Sequence, residues 1–443
     1  MKAQYILPFL FLLTASSCKK FLEVEPRSSI SDEATITDKA SAETAVRGVY
    51  NAARSYYSVS FQSIAYLSGD NVQWTGSQSQ VQEFINHKVN AENSTIESVW
   101  RGIYLSISRA NQVLSKVPAV TDPLLTTTLR DQYLGEAYFI RALNYFDLAR
   151  TWGGVPIITQ PTTSPNDNRG IPRSTQAETY AQVLADLDAA EPLLPQTTDR
   201  YRATRKTVWA LKARFYLYQK NWAKAEEYAT KVISDNATYQ LLKPYSAFFQ
   251  PSDKRGTNES VFEFFYSNNE LNEHRGQWQP QQNGGTRQWA PSTAFVTLVN
   301  DPLVGGNRSV LVALDNQNRW YGNLYYRSPA TDPTYVLRIA ELYLIRAEAR
   351  AELGAAGAAD DLNAVRDRAG LAVTTAVTRE ELLLAIENER RIEFAFEAHR
   401  WFDLVRTGRA TTVLNFTDVD KLVMPIPVSQ LLIDRALVQN EGY

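Results

Sequence analysis

The sequence predicts a mainly all-α protein in which tetratricopeptide-like helix pairs carry an irregular, loop-rich lobe. Three observations carry that expectation. The stretch from Leu134 to Trp152 is apolar on two helical faces. Residues 209–229 and 337–368 alternate small and large side chains at the spacing of paired helices. From Ala237 to Thr331 the helical period fades while aromatics stay abundant.

In the central stretch Leu134, Ala137, Tyr138, Arg141, Ala142, Tyr145, Leu148 and Ala149 recur at helical spacing. Phe139, Leu143 and Phe146 form a second row. A helix apolar on two faces lies between neighbours. Gly153-Gly154 ends it, and Val155-Pro156 forbids continuation.

The other elements follow in chain order. Asp38 is the N-cap of a helix reaching Tyr57, and a polar loop around Trp74 spans Ser68 to Ser77. Ser98 to Val117 is helical, and Asp122-Pro123 signals another helix start. After a Pro/Thr/Asn-rich loop at 159–172 a helix covers about 175–191. The first helix pair joins Trp209–Tyr216 to Trp222–Ala229 through Lys220-Asn221. The second runs Leu337–Leu353 and Ala358–Arg368, with Asp332-Pro333 capping its start. Thr378–Phe396 and His399–Arg406 complete the helices, and Val261–Tyr266 reads as a strand within the lobe.

Composition narrows the function classes. The 443 residues balance 46 Lys+Arg against 48 Asp+Glu, which gives no basic field for nucleic acid. One cysteine excludes an internal disulfide. Lys2, the apolar run Tyr5–Leu13 and the small residues Ala15-Ser16-Ser17 read as a signal peptide over 1–17. Cys18 stands where processing would leave a lipidated N-terminus, with 18–36 as a tether. No other apolar run approaches the ~18 residues of a membrane span. The remaining divisions are an N-terminal helical region, 37–236, the lobe, 237–331, and a C-terminal helical region, 332–443, packed with the first as one unit.

Catalytic chemistry finds little support. Glu389, Glu393 and Glu397 lie at i, i+4 and i+8 among Arg390, Arg391 and Arg400. They read as a salt-bridge network, because successive turns aim carboxylates along one wall and not across a sugar. His87, His274 and His399 are isolated, and no HExxH, GxSxG or Gly-rich phosphate loop occurs. Asp315-Asn316-Gln317-Asn318 lacks the Gly and closing Glu of a calcium loop and reads as a turn. No catalytic residue, metal site or cofactor is expected.

Binding chemistry is better supported. Trp74, Trp278, Trp289 and Trp320 sit in polar loops. An indole face suits the C–H face of a pyranose, and planar polar neighbours suit its hydroxyls. Asp70, Asn71 and Gln73 flank Trp74, Arg287 and Gln288 flank Trp289, and Tyr321 follows Trp320. The competing reading packs these rings as lobe core.

Five stretches in order then resemble the SusD/RagB family of outer-membrane lipoproteins. They are Cys18 with Phe21-Leu22-Glu23-Val24-Glu25-Pro26, the Glu136–Pro156 stretch, Tyr335–Ala349, Ile386–Gly408, and Met424-Pro425-Ile426-Pro427 with the ending Gln439-Asn440-Glu441-Gly442-Tyr443. The resemblance implies a helical fold with a ligand-facing lobe. It also implies lipid anchoring at the cell surface and a SusC-like TonB-dependent transporter as partner. The implied ligand is an oligosaccharide, captured without cleavage; a peptide ligand and a glycoside hydrolase are the alternatives. A third is a tetratricopeptide adaptor binding peptide on its concave face. Binding residues vary within this family, so the tryptophans rest on the physical argument alone.

Overall fold

Capping decides where the helices begin. In α1 (Lys39–Tyr56) the Asp38 carboxylate accepts from the Ser41 backbone N at 2.8 Å, and Ser41 Oγ accepts from Asp38 N at 3.0 Å. This is a reciprocal capping box. The computed structural model describes residues 36–164, 166–250 and 255–443. The signal peptide, Cys18 and the tether through residue 35 lie outside the described residues, while Ile36 is already buried against the core.

α2 (Val59–Leu67) leads into a short strand, β1 (Val72–Trp74), and then α3 (Ser79–Ile85). α4 (Ser94–Lys116) starts a turn earlier than its apolar stripe, because the Asn93 side chain accepts from the backbone of Thr95 and Ile96. α5 (Thr127–Trp152) is capped by Thr126. The Asp122-Pro123 signal fails there because Asp122 is occupied elsewhere, accepting from Lys39 N and Leu124 N, each at 2.9 Å.

α5 is the centre of the stack: every residue from Phe139 to Trp152 is buried. It lies between α4 and α6 (Gln176–Leu193), with α1 alongside. Its polar residues are satisfied in place. Arg141 makes a bidentate pair with Asp186 at 2.9 and 2.7 Å, and Arg150 bonds Asp147 at 2.6 Å. Gly153, at φ +77°, closes the helix. Beyond it the C-terminal segment docks: Trp152 Nε1 donates to the Pro425 carbonyl at 2.8 Å, and Asn440 Nδ2 donates to the Trp152 carbonyl at 3.0 Å.

The helix pairs follow. α7 (Arg205–Tyr218) packs on α8 (Trp222–Ile233), and α8 packs on α11 (Ile339–Leu353) of the second pair, whose partner is α12 (Ala358–Arg368). α13 (Arg379–Glu393) lies on α11, and α14 (Arg400–Arg406), α15 (Ala410–Leu414) and α16 (Val428–Ile433) finish the chain. The second pair starts later than predicted. Thr334–Arg338 is a strand, β6, antiparallel to β2 (Ser260–Phe264), with every residue of both buried. Its Thr, Tyr and Val suit a strand that is covered on both faces. Asp332 caps no helix; its carboxylate pairs with Arg327.

The lobe between these elements holds α9 (His274–Trp278), β3 (Trp289–Pro291), α10 (Thr293–Asn300), β4 (Val312–Leu314) and β5 (Trp320–Gly322). A buried charge cluster pins it to the helices. Arg308, from the lobe, donates to Glu393 at 2.8 Å and to Glu389. Arg338 meets Glu259 at 2.9 Å, Glu393 at 3.0 Å and Glu397 at 2.6 Å, and Arg368 meets Glu259 at 3.0 Å and Glu393. The three predicted glutamates thus form an ion network, but with other arginines than their sequence neighbours. Those neighbours bond elsewhere: Arg390 of α13 bonds Asp403 at 2.9 Å, and Arg391 of α13 and Arg400 of α14 reach Asp70 at 3.0 and 2.7 Å. Among the described residues no helix is long and apolar enough to cross a membrane.

Candidate functional site

Three loops are laced into one face of the lobe. β1 pairs antiparallel with β3, setting Val72 against Pro291, Gln73 against Ala290 and Trp74 against Trp289. Thr75 extends the ladder, its N donating to the Gln288 carbonyl at 2.9 Å and its Oγ1 to the Arg287 carbonyl at 2.5 Å. Arg287, at φ +49°, turns its Nε to the Trp320 carbonyl at 2.8 Å. One residue thereby ties the chain beside Trp74 to the chain at Trp320. β4 and β5 form the hairpin that presents Trp320, opposite the exposed Leu314. Its turn is the Asp315–Asn318 segment, where the Asp315 carboxylate accepts from the backbone of Gln317 and Arg319 at 2.8 Å each.

Trp74 and Trp320 are both half-buried and keep ring surface open. The Trp74 indole folds back over its own chain. A Cβ at Gly76 would stand 2.3 Å from the ring, so only glycine allows that pose. Gln73 is exposed, with Nε2 bonded to the Pro291 carbonyl at 3.1 Å, and Arg287 is half-buried.

The other expected contacts turn inward, and these are corrections. Trp278 and Trp289 are each 1% exposed. They pack at tilted and edge-on angles with Tyr66, His274 and Phe396, the two indoles 5.6 Å apart and Trp278 4.5 Å from Phe396. Trp278 also packs closely on β5, where a Cβ at Gly322 would stand 2.5 Å from its ring. Tyr321 is buried, as the residue between Trp320 and Gly322 on a two-faced hairpin.

Asp70 and Asn71 are consumed by arginines more than 300 residues away in sequence. Arg400 donates to the Asp70 carboxylate at 2.7 and 3.0 Å, and Arg391 adds a contact at 3.0 Å. Burial raises the Asp70 carboxyl, yet the bond and charge of Arg400, with Arg391, outweigh this and hold it below the ordinary carboxylate range. Asn71 is buried, accepting from Arg391 Nε at 2.9 Å and donating to the Arg391 carbonyl at 2.8 Å. These two residues moor the Trp74 loop to the C-terminal helices. His274 is sealed in the aromatic cluster, where burial lowers its pKa to about 4 and keeps it neutral. No group of three metal-ligating side chains occurs among the described residues.

Sequence reasoning did not identify Thr75, Gly76 and Leu314 as parts of this face. The alternation Val72-Gln73-Trp74 was the available signal for the strand that places Thr75 and Gly76.

Comparison with known proteins agrees with this architecture. A family model described as "Starch-binding associating with outer membrane" matches residues 20–217, and the SusD family model matches residues 196–421. A SusD-like protein of Formosa agariphila is 28% identical, with 98% of each chain covered. The starch-binding protein SusD of Bacteroides thetaiotaomicron is 26% identical over 85% of this chain and 84% of its own. Among solved structures, a laminarin-binding SusD-like protein superposes with a TM-score of 0.81 at 26% identity, covering 92% of this chain and all of that one. With the helix pairs, the lobe and these matches together, the chain belongs to the SusD family.

Proposed function

We propose that this protein captures oligosaccharides at the outer membrane and passes them to a TonB-dependent transporter without cutting them. The observation that carries the reading is the laced lobe face, on which Trp74 and Trp320 offer open indole surface joined through Arg287. Flat indole faces hold a sugar chain by its C–H groups, and half-open platforms bind weakly enough to release it. The names of the starch-binding and laminarin-binding relatives support a glycan ligand. Against a hydrolase stands the state of the glutamates: Glu389, Glu393 and Glu397 are buried and engaged by arginines, so none is poised at an open cleft.

In this reading Cys18 carries the lipid, the lobe faces the channel mouth, and the transporter does the energised work. The test is isothermal titration with α-glucans, β-1,3-glucans and peptides, using the wild type and the Trp74→Ala and Trp320→Ala variants. Glycan binding weakened by both changes supports the proposal. Glycan binding indifferent to both overturns the site, peptide binding alone overturns the ligand class, and release of shortened sugars overturns the non-catalytic role.

A further inference from the structure

We propose a second sugar contact, separate from the lobe face, in a cleft between α1, the segment entering α7 and the exit of β2. It rests on the glycan-binding reading above. The cleft has a volume of about 540 Å³ and is lined by Asn51, Arg54, Tyr201, Phe265 and Glu270 among others. That size falls within the roughly 300–1,000 Å³ of small-ligand clefts. None of its lining residues belongs to the face that carries Trp74 and Trp320.

Phe265 is the first reason. It is 39% exposed, while Phe264 and Tyr266 on either side are buried, so just past the end of β2 this one ring turns outward. Tyr201 meets it at 5.2 Å, nearly perpendicular, and the Arg255 guanidinium sits 4.8 Å over it. The pair lines the cleft outside the buried core, and Tyr201 is held in place by close packing on Gly256.

The polar wall is the second reason. Arg54 is fixed by three bonds: Nη1 donates to the Phe265 carbonyl at 3.1 Å and to Glu270 at 2.7 Å, and Nη2 donates to Asn51 Oδ1 at 3.0 Å. The Arg54–Glu270 pair is therefore set before any ligand arrives, and Glu270 keeps about half of its side-chain surface open. Aromatic surface on one side and planar groups of both signs on the other suit a pyranose with an apolar face and a ring of hydroxyls. Arg47 and Arg202 also line the cleft, but they pair with Glu43 and Glu136 as Arg54 pairs with Glu270, so its charges are met within the protein and a neutral, hydroxyl-rich ligand suits it better than an ion. Two such contacts on one protein would favour long chains over short ones by avidity.

The test is isothermal titration of the full-length chain with maltoheptaose, laminarihexaose, and the starch and laminarin polymers. In the Trp74→Ala/Trp320→Ala background weak binding should persist, and adding Phe265→Ala should abolish it. Phe265→Ala alone should lower polymer affinity about tenfold, while Phe265→Tyr, which keeps the platform, should retain it. Wild-type binding whose affinity and stoichiometry are the same in Phe265→Ala and Tyr201→Ala overturns the second contact and leaves the lobe site standing. Absence of any binding by the wild type overturns the glycan reading itself.

Discussion

Trp74 and Trp289 occupy the same rung of an antiparallel ladder, and only Trp74 keeps ring surface in solvent. Opposed residues in such a ladder share one face of the ribbon. The difference comes from what lies beyond the strands: Trp289 points into the Tyr66 and Trp278 cluster, and Trp74 curls over Gly76. Substitution should separate the two roles. Trp74→Ala and Trp320→Ala should each weaken glycan binding about tenfold, ~1.4 kcal/mol, with little change in melting temperature. Trp278→Ala and Trp289→Ala should instead cost about 3–5 kcal/mol of stability in urea denaturation.

Gly76→Ala tests whether the pose of the Trp74 ring matters, apart from its presence. The new methyl group would stand 2.3 Å from the indole and must push it away. Calorimetry should show binding lost to the extent seen in Trp74→Ala, while the unfolding midpoint stays near the wild type, since the loop is on the surface.

Glu393 carries the acid response of the buried cluster. Burial raises its carboxyl, but Arg368, Arg308 and Arg338 overcome that and bring it down to about 2. A folded-state value below the unfolded value of about 4.5 means the contribution is complete above pH 4.5 and is lost as pH falls towards 2. At pH 7, Glu393→Gln should destabilise by about 3–5 kcal/mol, because three buried arginines lose a partner. Denaturant titrations from pH 7 to pH 3 should show the gap to wild type narrowing as the acid limit is approached.

Glu263 works in the opposite sense. It is fully buried in β2, where desolvation pushes its carboxyl up to about 7, although Gly256 N donates to it at 2.7 Å. The unfolded chain ionises near pH 4.5 while the folded chain stays protonated until about 7. Stability from this residue therefore declines by up to ~3 kcal/mol as pH rises across that window. Glu263→Gln keeps an acceptor for Gly256 and should flatten the decline, so that at pH 8 the variant melts above the wild type.

Helix positions were legible wherever capping and period agreed, as at Asp38 with Ser41, Thr175 with Glu178 and Thr378 with Glu381. The central helix was legible because its apolar residues wrap two faces. The fully buried strand β6 was not, since Thr334-Tyr335-Val336 leads directly into α11 with no break in hydrophobicity. The site was half legible. Indoles in polar loops include two that stay half-buried, Trp74 and Trp320, and two that are sealed, Trp278 and Trp289, because exposure depends on partners distant in the chain. Phe396 covers Trp278, and Arg391 and Arg400 claim Asn71 and Asp70. Nothing local to a tryptophan or an aspartate announces such a partner.

The cluster of Arg308, Arg338 and Arg368 with Glu259, Glu389, Glu393 and Glu397 also constrains descent. Its members are sealed from water and shared among several partners, so losing any one strands a charge on another. A lineage can exchange these positions only in concert. Related chains should therefore keep the set whole or replace it together by apolar residues, with intermediate combinations rare.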